Sequence, residues 1–136
     1  LDVAASLHLD AVRISRTPLF TAFAGMGQLI GRLGLFTLSE LSLWKAKRRH
    51  FRVPDHFEGI VAGEAVHEGH FLHILKDMRP GTTEVMMHPG TDNEKLIPAC
   101  DWEHDFEAEM QAIVSPKVRR MIADKAVKVV NYRDLK

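Results

Sequence analysis

The chain has 136 residues, 46% of them hydrophobic, and its 18 basic and 18 acidic side chains give a formal net charge of zero. This composition excludes disorder as the primary interpretation and predicts one globular domain. Cys100 is the only cysteine, which excludes an internal disulfide or a multi-cysteine zinc finger and favours a reducing compartment such as the cytoplasm. The balanced charge argues against a dedicated nucleic-acid binder.

The first residues read as the end of a helix and not as its start. Residues 1–7 are mostly small or apolar, and no cap or start signal precedes them. We therefore expect further sequence upstream of Leu1.

Apolar residues recur with a period that alternates between about two and about 3.6, which is typical of strands alternating with helices. In chain order the sequence predicts a strand at residues 11–14, a break at Thr17-Pro18, an apolar segment at residues 19–30, a helix at residues 36–51, a strand at residues 56–60, a helix at residues 64–78 and a strand at residues 83–87. A helix then starts at Asp101, another runs from Ser115-Pro116 through Ile122, and a last strand covers residues 127–130. The class is therefore α/β.

This order implies parallel strands joined by right-handed crossovers. A closed (β/α)₈ barrel needs about 250 residues, so four strands predict a partial (β/α) barrel-like fold, about half of a full barrel, or alternatively a small open sheet. Open strand edges and uncovered apolar surface predict a homo-oligomer. The uncharged stretch at residues 17–30 is shorter than the roughly 20 residues of a membrane span, so no membrane partner is expected.

His88 follows the clearest predicted strand and is the first candidate for a catalytic residue. Ligands and catalytic groups gather at the carboxyl ends of parallel strands. Pro89 favours an extended backbone at His88, and Gly90 allows the chain to turn away sharply, which would hold the imidazole at the rim of the sheet. The alternative is a loop histidine without a catalytic task.

Arg13 is a charged residue between the apolar Val12 and Ile14 of a predicted strand. If it points inward, it requires a carboxylate or phosphate partner, because an unpaired buried charge is costly. It could then orient a catalytic carboxylate. The alternative is an arginine at a strand end that reaches solvent.

Three other segments rich in charge or histidine have plainer explanations. His67, His70 and His73 lie three apart, and on a helix the first and third cannot easily converge on one ion. The acidic residues at 101–109 are typical of a solvated helix start, and the basic run at 45–50 of a helix end. We therefore assign no metal ligands in this chain and predict no nucleic-acid partner.

The order of elements and one motif resemble a known family. Residues 53–59 read Val-Pro-Asp-His-Phe-Glu-Gly, and after a helix residues 80–90 read Pro-Gly-Thr-Thr-Glu-Val-Met-Met-His-Pro-Gly. These segments resemble the second half of the YdjC-like carbohydrate deacetylases, which include chitooligosaccharide deacetylase and hopanoid-biosynthesis-associated relatives. Val12-Arg13-Ile14, residues 107–110, Ser115-Pro116 and residues 129–135 resemble the flanking elements of that family.

The resemblance implies a hydrolase that uses a divalent metal, Mg or Zn, to remove the acetyl group from an N-acetylated sugar substrate. His88 would protonate the departing amine or stabilise the transition state beside it. Pro89 and Gly90 would lie against the substrate. Arg13 would hold the base carboxylate, by analogy with the broader polysaccharide deacetylases.

The metal-binding aspartates and histidine-rich motifs of the family precede the segment that matches Val12. We therefore expect this chain to be a carboxyl-terminal fragment that binds no divalent metal and is inactive alone. A non-enzymatic binding or assembly module on the same scaffold is the alternative, and the reading frame upstream of Leu1 would distinguish the two. Another metal-dependent hydrolase, such as a phosphoesterase, is a third possibility.

Overall fold

The structure is a computed structural model that describes residues 1–15, 26–59 and 65–135. In chain order its elements are α1 (Asp2–Ser6), α2 (Met26–Arg48), β1 (His56–Glu58), α3 (Glu68–Lys76), β2 (Thr83–Val85), α4 (Asn93–Cys100), α5 (Phe106–Val114), α6 (Pro116–Asp124) and a 3-10 turn at Tyr132–Asp134. The predicted break at Thr17-Pro18 and the apolar segment up to residue 25 lie outside the described residues. Within those residues, no helix is long and apolar enough to cross a membrane.

The chain divides into two compact units. The first comprises residues 1–57, 81–84 and 130–136, and the second comprises residues 58–80 and 85–129. β1 and β2 pair as a two-stranded parallel sheet, so the fold mixes helix and sheet as the α/β class requires. The barrel-like character and the single domain stay predictions.

Arg52 joins three segments of the first unit. Its backbone N–H donates to the Asp10 carbonyl at 2.8 Å, and its own carbonyl accepts the Val12 N–H at 3.0 Å. Its guanidinium donates to the Leu135 carbonyl at 2.7 Å. Arg52 thus connects the amino-terminal residues to the carboxyl-terminal ones. Buried apolar residues of this unit are Ala46, Phe51, Phe57 and Leu135.

Helices α3, α5 and α6 pack against one another in the second unit, and α4 packs against α5. The buried apolar side chains of this unit are Val66, just before α3, and Ile74, Leu75, Phe106, Ala112 and Val118 on the helices. The predicted helix at residues 64–78 is confirmed in α3, and the apolar pattern within it places Ile74 and Leu75 in this core. The second unit therefore has a helical core of its own.

Each helix of the second unit begins with a side chain that accepts a backbone N–H of the first turn. The caps are His67 for α3, Asp92 for α4, Asp105 for α5 and Ser115 for α6. The Ser115 hydroxyl also donates to Glu68 of α3 at 2.5 Å. Lys117 binds the other oxygen of the same carboxylate at 2.8 Å. The helix predicted from Ser115-Pro116 is confirmed, and its cap also connects it to α3.

The strand predicted at residues 11–14 is wrong, because among the described residues its pairing is limited to one parallel bridge between Ala11 and Arg52. A strand needs a partner that offers donors and acceptors over several residues. The segment opposite soon reaches Pro54, which has no N–H to donate. The parallel direction of the pairing agrees with the predicted class.

The strand predicted at residues 127–130 is also wrong. Ala126 has a φ of +52°, which turns the chain as it leaves α6. The residues that follow pair with no strand in the described part of the chain, and Val129 is 76% exposed. β-branched side chains favour extended backbone, but a strand also requires a neighbour to pair with.

Helix α4 is missing from the sequence prediction, and the helix expected from Asp101 begins only at Phe106. Pro98 lies inside α4, and a proline in a helix interior is a signal against a helix. Asp92 supplied the opposite signal, since its side chain accepts the Lys95 N–H as an N-cap. Asp101 adopts the left-handed conformation (φ +47°) that ends α4.

Replacing Ser115 by alanine should lower the free energy of unfolding of the second unit by about 1–2 kcal/mol, because α6 loses its cap and Glu68 loses a donor. Urea unfolding followed by Trp102 fluorescence in a Trp44→Phe background reports on this unit, since the chain has two tryptophans. Ser42→Ala is the control, because that hydroxyl bonds a carbonyl within α2. Equal losses in the two variants would contradict the role of Ser115.

Candidate active site

His88 lies three residues beyond the end of β2, in the second unit. The chain still pairs with the neighbouring strand at Met86, whose N–H donates to the Glu58 carbonyl at 2.9 Å. Two residues later, the backbone N–H of His88 donates to the carboxylate of Glu109. The structure thus places His88 past the carboxyl end of a parallel strand, as the sequence predicts. Its catalytic role stays a prediction.

The carboxylate of Glu109 connects three segments that are distant in sequence. One oxygen accepts the Val66 N–H at 2.9 Å, and the other accepts the His88 N–H. The ring nitrogen Nε2 of His104 lies 3.2 Å from the first oxygen. Glu109 is only 1% exposed, so these donors take the place of water around its charge.

The imidazole of His104 is buried against aromatic rings. It stacks on Trp102 with the ring centres 4.2 Å apart, and its edge contacts involve His88 at 5.5 Å and Phe106 at 4.9 Å. Neither of its ring nitrogens has a hydrogen-bond partner among the described residues. The 3.2 Å approach to Glu109 is close enough for an ion pair but is not aimed as a hydrogen bond.

His88, His104 and Glu109 bring three metal-ligating atoms within 4.8 Å of one another. Two imidazoles and a carboxylate are a donor set found in catalytic zinc sites. A carboxylate offers about four lone-pair sites, so the two backbone N–H bonds leave Glu109 free to bind an ion as well. The unpaired nitrogens of the buried His104 are what an ion would satisfy. The residues present therefore fit a divalent metal.

Gly90 packs against α5 immediately after His88. Its N–H donates to the Phe106 carbonyl at 2.9 Å, and a Cβ at this position would lie 2.9 Å from the Phe106 Cβ and closer still to Leu96. Close packing therefore requires glycine here. The backbone of Gly90 is not left-handed, so the sharp turn that the sequence suggests is not its reason. The substrate contacts expected of Pro89 and Gly90 stay predictions.

Asp105 and Asn93 fix the start of α5 beside His104. The Asn93 side-chain amide donates to Asp105 at 2.9 Å, and its oxygen accepts the Glu107 N–H at 3.2 Å. The Asn93 donor, followed by the Ala108 backbone N–H, holds the pKa of Asp105 below its ordinary value. An ionised Asp105 also suits the positive end of the α5 dipole.

Arg13 has the carboxylate partner that an inward-pointing arginine would require, although its side chain is 49% exposed. In the first unit its Nε donates to Glu84 at 2.5 Å, and Glu84 also accepts the hydroxyl of Tyr132. The Phe57 ring lies 5.8 Å from the guanidinium. The bond to Glu84 raises the pKa of Arg13, so the arginine remains charged. The pairing is confirmed, whereas the catalytic role of Arg13 stays a prediction.

The histidines at the start of α3 and within it make contacts with nearby residues of the same helix. His67 caps the helix by accepting the His70 N–H at 3.3 Å, and His73 lies 3.4 Å from Asp77, one turn further on. In the described ranges, the metal-ligand cluster involves His88, His104 and Glu109 and not these residues. That the three cannot share one ion stays a prediction.

A model of the family described as YdjC-like protein matches residues 1–124, which are most of the chain. The chain belongs to the YdjC-like family. A carbohydrate deacetylase from Thermoanaerobacter pseudethanolicus is 28% identical over 82 residues, which are 60% of this chain and 33% of the relative. No solved structure matches the chain.

His104 and Glu109 of this YdjC-like chain are site residues that the sequence patterns did not indicate. Both lie in the acidic segment at residues 101–109 that was expected to be solvated, yet both are buried. The expectation is wrong for Glu109 because it lies three residues after Phe106 and three before Ala112, on the buried face of α5. That spacing is visible in the sequence and could have revealed it.

Replacing Glu109 by alanine in the YdjC-like chain should cost about 3 kcal/mol or more of unfolding free energy, because the Val66 and His88 amides lose a charged acceptor. Glu109→Gln keeps an acceptor oxygen and should cost less. Urea unfolding measures the free energies, and hydrogen exchange at the two amides locates the change. Glu103→Ala, at an exposed position, should stay within about 0.5 kcal/mol. Unchanged exchange in Glu109→Ala would disprove the assignment.

Tyr132 is the only tyrosine, so the absorbance of tyrosinate measures its titration directly. Burial, and then the bond to Glu84, raises the pKa of Tyr132 from 10.0 to about 12. Because the folded pKa is raised, the stabilisation is complete below pH 10 and is lost as the pH rises through about 12.

Glu84→Gln should move this midpoint down towards 10, because it removes the charge beside the phenol. The control is Glu58→Gln, which removes a carboxylate that lies 3.7 Å from Arg79. A midpoint near 10 in the unmodified chain would show that Tyr132 is not held as described.

Proposed function

We propose that this YdjC-like protein is a carbohydrate deacetylase that removes acetyl groups from N-acetylated sugars by metal-dependent hydrolysis. Family membership and the similarity to a carbohydrate deacetylase support this reaction. The match spans 33% of that relative, so the activity is proposed for the intact protein. The observation that carries the proposal is the placement of His88 beyond a parallel strand, with its backbone held by a buried carboxylate.

Amide hydrolysis requires water to attack the carbonyl carbon and a proton to reach the departing amine. His88 is half-buried, and its backbone N–H is fixed by Glu109, so its imidazole can be presented in a limited set of positions. In this proposal the imidazole either protonates the amine or stabilises the transition state beside it. Pro89 and Gly90 then form the adjoining wall against the substrate.

The proposed reaction includes a divalent metal, Mg or Zn. When bound, such an ion polarises the carbonyl oxygen and lowers the pKa of an attacking water. The resemblance places the family's ligands before the segment that matches Val12, and on that basis the chain alone is proposed to be inactive.

Arg13 is proposed as a positioning residue. It holds a carboxylate with a bond to Nε, and that carboxylate is Glu84, which is about nine-tenths buried. A guanidinium that pairs with a carboxylate holds it in one orientation. The hydroxyl of Tyr132 restrains the other oxygen of Glu84. This arrangement supports the orienting role that the resemblance implies for Arg13.

The remaining expectations are also proposals. The parallel pair β1 and β2 supports a partial barrel-like scaffold, and the single cysteine supports a cytoplasmic location.

Self-association is supported by Leu38, Leu41 and Trp44, which recur every three residues along α2 and are 62%, 46% and 53% exposed. The same exposed stripe favours the second candidate function, a non-enzymatic assembly module.

Acetate release from diacetylchitobiose by the intact protein tests the proposal. His88→Ala should reduce turnover by about a hundredfold, the usual scale for the loss of a group that acts on the reacting bond. His73→Ala is the control, since it removes a histidine that is exposed on α3. Near-normal turnover in His88→Ala would refute the role of His88, and a complete lack of acetate release by the intact protein would favour the assembly module.

A further inference from the structure

We propose that His88, His104 and Glu109 form a zinc-binding site within this chain. The site is distinct from the ligands that the resemblance places upstream of Val12, and the inference does not depend on the proposed deacetylase activity. It departs from the expectation that this chain alone binds no divalent metal.

The burial of His104 is the first argument. Its side chain is 4% exposed, and both ring nitrogens lack a hydrogen-bond partner in the described residues. Buried polar atoms are nearly always paired, because an unpaired one costs free energy. Aromatic contacts with Trp102 and Phe106 account for the ring faces but not for the nitrogens. A metal ion would bind one of them.

The geometry is the second argument. Ligand atoms of a tetrahedral zinc site with bonds of about 2.0–2.1 Å lie about 3.3–3.4 Å apart. The Nε2 of His104 and an oxygen of Glu109 are already 3.2 Å apart. The three ligand atoms all lie within 4.8 Å, so a small rotation of the half-buried His88 side chain completes the set. Two ligands are therefore preorganised and the third is adjustable.

The chemistry of the donors selects the ion. Imidazole nitrogens suit zinc and its borderline neighbours, whereas magnesium prefers an octahedron of oxygens. Three protein ligands leave a fourth tetrahedral position for water or substrate, as in catalytic zinc sites.

A proton is the competing occupant of the cluster. A protonated His104 would form a buried ion pair with Glu109 at the observed 3.2 Å and would need no metal. The two cases differ in an observable way, because the ion pair forms in metal-free buffer and is indifferent to zinc. Zinc binding, in contrast, engages His88 as well.

Calorimetric titration of the metal-free chain with ZnCl₂ and, separately, with MgCl₂ tests the proposal. We expect one Zn²⁺ per chain and far weaker binding of Mg²⁺. Replacing zinc by Co²⁺ should give the visible absorption of a tetrahedral nitrogen and oxygen site. The absence of stoichiometric zinc binding by the unmodified chain would overturn the proposal and leave the proton as the occupant.

Ligand variants locate the ion. His104→Phe preserves the aromatic packing, and His88→Gln changes a half-buried position, so each should weaken zinc binding by at least about a hundredfold, beyond the usual cost of losing an outer-shell partner. His73→Gln is the matched control and should bind zinc unchanged. If His104→Phe fails to fold by circular dichroism, His88→Gln decides. Full binding in either folded ligand variant, or its loss in His73→Gln, would overturn the assignment.

Zinc titration and acetate release can fail independently. Zinc binding without acetate release would leave this site standing and remove the deacetylase proposal. Acetate release by the intact protein, together with no zinc binding by this chain, would support the deacetylase proposal and overturn the zinc site.

Discussion

A buried carboxylate needs hydrogen-bond donors around it, because it has lost its contacts with water. In the second unit the buried carboxylate is that of Glu109. Its two oxygens accept the Val66 and His88 N–H groups, which come from the segment before α3 and the segment after β2. Because Glu109 itself lies on α5, one side chain fixes three parts of the chain. The position of His88 is therefore set by a residue 21 places further along.

Hydrogen bonds between the first turns of the helices fix how the helices of the second unit are placed. Ser115 caps α6 and also donates to Glu68 in the first turn of α3. Asn93 at the start of α4 exchanges bonds with Asp105 and Glu107 at the start of α5. These polar contacts join helix ends whose backbone N–H groups lack partners within their own helices. The loops that carry the candidate site residues are thus held at both ends.

Short sequence patterns predicted the elements that depend on neighbouring residues alone. The strand before His88 and the helix from Ser115-Pro116 followed from short patterns, and both exist in the structure. The strand at residues 127–130 failed because pairing depends on a partner elsewhere in the chain, which β-propensity does not report. Glu109 was overlooked because a carboxylate in an acidic segment is usually solvated, and only its register with Phe106 places it in the core.

A site built in this way couples ligand binding to folding. The unfolded chain separates His88, His104 and Glu109, so an ion that binds all three prefers the folded state and stabilises it. His104 and Glu109 already lie 3.2 Å apart, so the binding of an ion would order mainly the side chain of His88. The residue nearest the proposed chemistry is therefore the one whose side chain is left adjustable, while its backbone stays fixed by Glu109.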